Sequence, residues 1–312
     1  MNKIGVIDIM NHPSEANRNL GADSFQYEEF KIMWRTTFKT VHKARTQAGG
    51  ETAAAGGEKK QSAAASFALM GHNSVPELIA DMDRLGYDII VITATKMWSY
   101  YYHHKLIIDH TVDSVGQIVQ EAKGRVIGAA SYNPFRIEDS LKDIERGVKE
   151  YGFKYVWFHP ISFGVAPNDR RCYPLYAKCN ELDIAVGLQV GHSAEVLPSD
   201  VGRPMLVDDV AIEFPNLRIN LSHTGWPWVD EWCSMLWRHP NVYGDISAYF
   251  PRSLDDRQVR FMDGSRGRDK VLFGTNGLGL EPCLTQFLAL PIKEETKSRV
   301  LRDNAVEFLK IG

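Results

Sequence analysis

No stretch of this 312-residue chain approaches the roughly 18 consecutive apolar residues of a membrane-crossing helix. That absence argues against a membrane-embedded role. Excess positive charge is also missing: the net charge is -3, so no broad basic surface for nucleic acid or anionic lipid is implied. Cysteine is scarce. Cys172, Cys179, Cys233 and Cys283 show no C-x-x-C spacing and read as reduced thiols, since a chain of this size needs no disulfide staples. A basic-then-apolar leader is lacking as well, and the expected location is the cytoplasm. A glycine-rich phosphate turn after a strand is absent, which counts against an open dinucleotide-binding sheet.

What is present is a regular alternation. Short apolar runs at Lys3–Ile9, Tyr87–Thr93, Val126–Ala130, Tyr155–Phe158, Ala185–Val190, Arg218–Leu221, Val242–Ile246 and Val271–Gly274 read as buried parallel strands. Between them lie stretches with helical apolar spacing, among them Pro76–Leu85, Val112–Ala122, Ile137–Tyr151, Tyr173–Glu181 and Trp228–Trp237. Repeated strand–helix units favour a parallel α/β sheet with crossover helices, and eight of them predict a closed (β/α)8 TIM barrel. A single domain over residues 1–312 is expected, interrupted after the first strand by an insertion at about 27–75. Its Ala- and Gly-rich part, residues 48–66, has no apolar periodicity and reads as a mobile insertion. Its place on the catalytic side of a barrel makes a lid the sharper alternative.

Catalytic groups of a barrel sit at the C-terminal ends of its strands. Those ends carry Asp8, Met10 and His12, then His159, then Gln189 followed by His192, then His223, Asp245 with Ser247, and Asn276. Histidines distant in sequence thus collect at one expected mouth. His42, His72, His110 and His239 read as ordinary structural residues. His223, in Asn220-Leu221-Ser222-His223-Thr224-Gly225-Trp226, leaves a buried strand beside a glycine that permits close approach, and it is the first candidate for acid–base work. His159 and His12 follow. Arg170, Arg171 and Arg203 fall in mouth loops, where they would clamp a carboxylate or serve as ordinary surface charge. Trp226, Trp228, Tyr249 and Phe250 would wall a flat ring or pack between barrel and helices.

The segments VIDIMNHP, FHPISFGVAPNDRRCYPLY, GLQVGHS, NLSHTGWPW, NVYGDISAY, DKVLFGTNG and LRDNAVEFLKI together resemble the amidohydrolase superfamily. The branch is amidohydrolase family 2, whose members include aminocarboxymuconate semialdehyde decarboxylase-like proteins. The likeness spans the chain outside roughly residues 27–75. It implies metal ligands at two first-strand histidines, a fifth-strand histidine and an eighth-strand aspartate. Here those places hold Met10, His12, Gln189 and Asn276, and only His12 matches. A thioether and two neutral amides are poor ligands for a divalent ion. The expectation is therefore no metal and no cofactor, with zinc held by His12, His159 and His223 as the alternative.

The resemblance further implies that metal-free lactone hydrolysis occurs in this superfamily. The expected activity is hydrolysis of a small cyclic or aromatic carboxylate (ester, lactone or amide). His223, His159 and His12 would be its catalytic residues, and Gln189, His192, Asn276, Arg171, Arg203 and Trp226 would bind substrate. Decarboxylation of an aromatic or unsaturated acid is the alternative, and a non-catalytic ligand-binding barrel is the reading from another class. The expected partner is a small-molecule substrate, with no nucleic acid or membrane, and a homo-oligomer is the prior for barrel enzymes.

Overall fold

Residues 5–13, 72, 74–99 and 105–312 are described in the computed structural model. Apart from His72, Ser74 and Val75, the insertion with its lid alternative lies outside them, as does the Tyr100–His104 cluster. Eight parallel strands follow one another in chain order: β1 (Val6–Asn11), β2 (Tyr87–Thr93), β3 (Val126–Ala130), β4 (Tyr155–Phe158), β5 (Ala185–Gln189), β6 (Ile219–Ser222), β7 (Val242–Asp245) and β8 (Val271–Leu272). Backbone bonds from Ile9 N to Phe273 O (3.0 Å) and from Asn276 N to Met10 O (2.8 Å) join the first strand region to the last. The expected (β/α)8 barrel is what forms.

The local signals explain most element ends. Ser74 caps the helix Val75–Leu85 by accepting from the Glu77 N–H at 3.3 Å, and Gly86, at φ 86°, ends it in the left-handed region. Between β2 and β3 the chain makes an antiparallel hairpin, Lys96–Ser99 with Lys105–Asp109, which the periodicity did not suggest. Helices Pro160–Phe163 and Leu280–Leu288 are further additions. No described helix is long and apolar enough to cross a membrane.

Alternation along each strand sorts the core into two shells. Ile90, Ile92, Val156, Phe158, Val186, Leu188 and Leu221 face the helices. Ile7, Ile9, Val91, Ala129, Tyr155, Trp157, Ala185 and Leu272 fill the barrel. Phe308, from the helix Asn304–Leu309, packs edge-on against Tyr155 and Tyr243 and closes the N-terminal end. Gly187 leaves room for the Tyr155 hydroxyl, with which any β-carbon there would collide. Gly187→Ala is expected to cost about 1–3 kcal/mol through overpacking, seen as a lower midpoint in thermal or urea unfolding.

Candidate active site

Continuing the inward series to the C-terminal rim brings Thr93, Ser131, His159, Gln189, Ser222, Ser247 and Asn276 to one mouth, above a floor formed by Trp157. The Trp157 ring lies 5.6 Å from that of His159 and 5.7 Å from that of His223. On β1 the pairing with β2 shifts between Asp8 and Asn11, and this carries Met10 into the inner shell. Asp8 serves as a tie between strands. Its carboxyl accepts from Thr275 Oγ1 at 2.6 Å, Thr275 N at 3.0 Å and Met10 N at 3.0 Å. Burial pushes its pKa up to about 7 against those hydrogen bonds.

His223 stands on a run of three left-handed residues: His223 at φ 73°, Thr224 at 64° and Gly225 at 69°. Such strain in non-glycine residues persists where the surroundings enforce it, and it clusters at functional sites. The enforcing group is Asp245, fully buried, which accepts from His223 N at 3.1 Å, Ser247 N at 2.9 Å and Asn220 Nδ2 at 2.6 Å. Ser247 Oγ donates to the same carboxylate and lies 2.6 Å from His223 Nδ1. With the hydroxyl proton directed to Asp245, the neutral His223 ring must carry its proton on Nδ1, and Nε2 keeps its lone pair. Burial alone would raise the Asp245 pKa. Contact with His223, Ser247 and Asn220 outweighs it and holds the group at about 2. A permanent carboxylate 3.9 Å from Nδ1 thus backs the ring through a serine.

His12 faces Asn276: Nε2 and Asn276 Oδ1 are 2.9 Å apart, and Thr95 Oγ1 lies 3.4 Å from Nδ1. Burial pushes the His12 pKa down to about 4; the Asn276 bond and Glu195 oppose this and His223 adds to it. His12 is neutral at pH 7 and binds through hydrogen bonds. The linkage has a definite sign. A histidine whose folded pKa lies below its unfolded value stabilises the fold above about 6.5, and that contribution is lost as pH falls through about 4. The loss is at most about 3 kcal/mol, because the ring is only partly buried. His12→Gln should show a smaller drop in unfolding free energy between pH 7 and pH 4 than the wild type, measured by urea titration. His110, read as ordinary from the sequence, has its pKa pushed down to about 4 by burial and then by the nearby His12, and among the described residues its buried Nδ1 has no partner.

His159 caps the helix Pro160–Phe163, with Nδ1 accepting from Ser162 N at 3.0 Å. Its Nε2 lies 3.3 Å from Ser193 Oγ and 3.8 Å from Glu195 Oε2. Ser193 Oγ donates to Glu195. Glu195 was missed in the sequence because it follows β5 by several residues, in a loop without periodicity. The only signal was an acidic residue three positions after His192.

Of the other expected residues, Gln189 ends β5 buried in the inner series. His192 is exposed, its ring edge-on to Trp226 at 5.3 Å and to Trp228 at 5.5 Å. Trp226 is 47% exposed and stands on the rim. Arg171 is held by Asp169 through bonds of 2.8 and 2.7 Å, and Arg203 is held by Glu231. Both guanidiniums are therefore already paired within the protein. Tyr249 and Phe250 pack against the outer core.

Histidines and carboxylates gathered at the C-terminal mouth of a (β/α)8 barrel match the arrangement of barrel enzymes. The chain belongs to the amidohydrolase family, whose sequence model, described as Amidohydrolase, matches residues 77–311. No curated protein matches the chain in sequence. Among solved structures, an uncharacterized TIM-barrel protein of Bordetella bronchiseptica is similar at 22% identity and TM-score 0.71, with 98% of each chain covered. A dihydroxybenzoic acid decarboxylase of Polaromonas sp. JS666, with bound manganese and 2-nitroresorcinol, is similar at 15% identity and TM-score 0.64, covering 98% of this chain and 97% of that one. A probable 2-pyrone-4,6-dicarboxylic acid hydrolase of Acinetobacter baumannii, with citric acid bound, is similar at 12% identity and TM-score 0.59, covering 98% and 100%.

These findings correct the expectation of no cofactor. Manganese is bound in the Polaromonas enzyme and in a 5-carboxyvanillate decarboxylase of Novosphingobium aromaticivorans, which points to a metal cofactor in this group. The zinc alternative fails as well. Among the described residues no group of three or more His, Cys, Asp or Glu side chains is placed to hold an ion, so His12, His159 and His223 do not converge as ligands. His12 Nε2 is engaged by Asn276, and His159 Nδ1 by its own helix. The described residues do not fit a manganese ion, and no chemical step is routed through one below.

Proposed function

We propose that this chain is a non-oxidative decarboxylase of a small aromatic or unsaturated carboxylic acid, with His223 as the group that delivers the proton. The observation that carries this reading is the His223–Ser247–Asp245 relay. Its carboxylate stabilises an imidazolium and orients the ring, and Nε2 is left as the working atom. As the bond from ring to carboxylate breaks and carbon dioxide leaves, the reacting carbon takes the Nε2 proton of the protonated His223 ring, which is left neutral with its remaining proton on Nδ1. Water then restores the Nε2 proton. Asn276 and Gln189 supply neutral amide groups that bind substrate oxygens. The decarboxylases among the structural neighbours support the same choice.

Hydrolysis of a cyclic ester is the second reading. It is favoured by the lone pair on His223 Nε2, which can take a proton from water, and by two amides suited to a developing oxyanion. The test is incubation in D2O with a panel holding 2,6-dihydroxybenzoate, 5-carboxyvanillate and 2-pyrone-4,6-dicarboxylate. Decarboxylation yields carbon dioxide and one deuterium at the vacated carbon. A ring-opened product without carbon dioxide would establish hydrolysis in its place, and inertness towards the whole panel would count against both.

A further inference from the structure

We infer that Glu195 is a second acid–base carboxylate of the mouth, held in place by His159 through Ser193, and that it acts as the general base opposite His223. The inference rests on the reading of the mouth as an acid–base site. It arises from a repeated arrangement. On one side, His223 Nδ1, Ser247 Oγ and Asp245 form a histidine–serine–carboxylate chain with its ends 3.9 Å apart. On the other, His159 Nε2, Ser193 Oγ and Glu195 form the same chain with its ends 3.8 Å apart.

The two chains differ in which member is left to work. Asp245 is saturated with donors, and the His223 ring keeps a free nitrogen. His159 is the reverse. Its Nδ1 is taken by the Ser162 N–H, so the neutral ring carries its proton on Nε2, directed at Ser193. Ser193 Oγ–H donates in turn to Glu195 Oε2. No nitrogen of His159 is then open to a substrate. On Glu195, no described side chain donates to Oε1. The carboxylate is 10% exposed and is held by a serine and a histidine, and among the described residues no lysine or arginine pairs with it. A largely buried acid with no lysine or arginine partner among the described residues is unusual in a structural role. It also lies near enough for its charge to act on His12, as does that of His223.

The proton balance closes. Glu195 takes the proton of an O–H group conjugated to the reacting carbon, and that oxygen's electron pair moves into the ring. The ring carbon takes a proton from His223 Nε2. Loss of carbon dioxide returns the C–C pair to the ring and an electron pair to the oxygen, which takes its proton back from Glu195, and His223 regains a proton from water.

The experiment measures turnover of the panel acids by the wild type, Glu195→Ala, Glu195→Asp, Ser193→Ala and His223→Asn. Glu195→Ala should lower kcat about 100-fold or more with KM within a few-fold, and added formate should restore part of it. Glu195→Asp should retain intermediate activity, and Ser193→Ala should lose less than Glu195→Ala. Wild-type kcat in Glu195→Ala, with His223→Asn inactive, overturns the inference and leaves the function standing. Loss in Glu195→Ala that formate does not relieve, with an unchanged unfolding midpoint, also overturns it. Full activity in His223→Asn overturns the reading of the site itself.

Discussion

Replacing His223 by asparagine lowers kcat by about 10²–10⁴-fold, the usual contribution of a positioned acid–base group, and leaves the barrel folded. Asparagine is chosen because its side-chain amide can still meet Ser247, so the Ser247–Asp245 bond need not be lost. It cannot carry a proton at neutral pH. The loss should fall on kcat and kcat/KM alike, because the missing step belongs to the transition state and not to ground-state binding. Steady-state kinetics on whichever panel acid the wild type consumes, with circular dichroism as the check on folding, read both quantities. A variant with unchanged kcat would remove His223 from the mechanism.

The second large effect is at Asp245, and it is double. Asp245→Asn replaces an acceptor that serves His223 N, Ser247 N, Ser247 Oγ and Asn220 Nδ2. The new amide turns N–H groups towards donors that are already there. Breaking a buried, charge-assisted network of this kind costs about 3–5 kcal/mol. The left-handed turn that carries His223 loses its anchor in the same change, so kcat should fall about 100-fold or more even at temperatures where the variant is folded. Urea unfolding at pH 7 reads the first effect and kinetics at low temperature the second. The native carboxylate also sets a pH window. With its pKa at about 2 in the fold, its stabilisation is complete above the ordinary aspartate range and is lost as pH falls towards 2. The wild type should therefore lose stability below about pH 4 by an amount that Asp245→Asn does not show.

Much of the barrel was legible because buried parallel strands are short, β-branched and bounded by turns. Val126–Ala130 and Tyr155–Phe158 have the bounds their apolar runs suggest. The helix Ile137–Tyr151 likewise follows its spacing, and Gly152 ends it in the left-handed region. The pairing of Lys96–Ser99 with Lys105–Asp109 was not legible, since it depends on two segments meeting that carry no shared periodicity. At the site, strand ends located His223, Asp245, Ser247, His12 and Asn276, because period-2 alternation and barrel closure decide which residues share the mouth. What each atom does was not legible. Only the folded chain shows that Ser247 stands between His223 and Asp245, that His159 spends one nitrogen on a helix cap, and that Arg171 and Arg203 have carboxylates of their own. Glu195 came from a loop whose path no periodicity describes. The metal expectation failed for a different reason: ligand identity at four positions describes this chain and not the cofactor use of the proteins that share its fold.

The most direct test of the central claim needs no substrate. The ¹⁵N NMR spectrum of the His223 ring near neutral pH, assigned by comparison with His223→Asn, reports which nitrogen carries the proton. The Ser247–Asp245 relay requires the neutral ring to be protonated on Nδ1, with Nε2 free, and requires that preference to weaken in Ser247→Ala. A ring protonated on Nε2, or one indifferent to Ser247→Ala, would contradict the relay and with it the assignment of His223 as the proton-moving group.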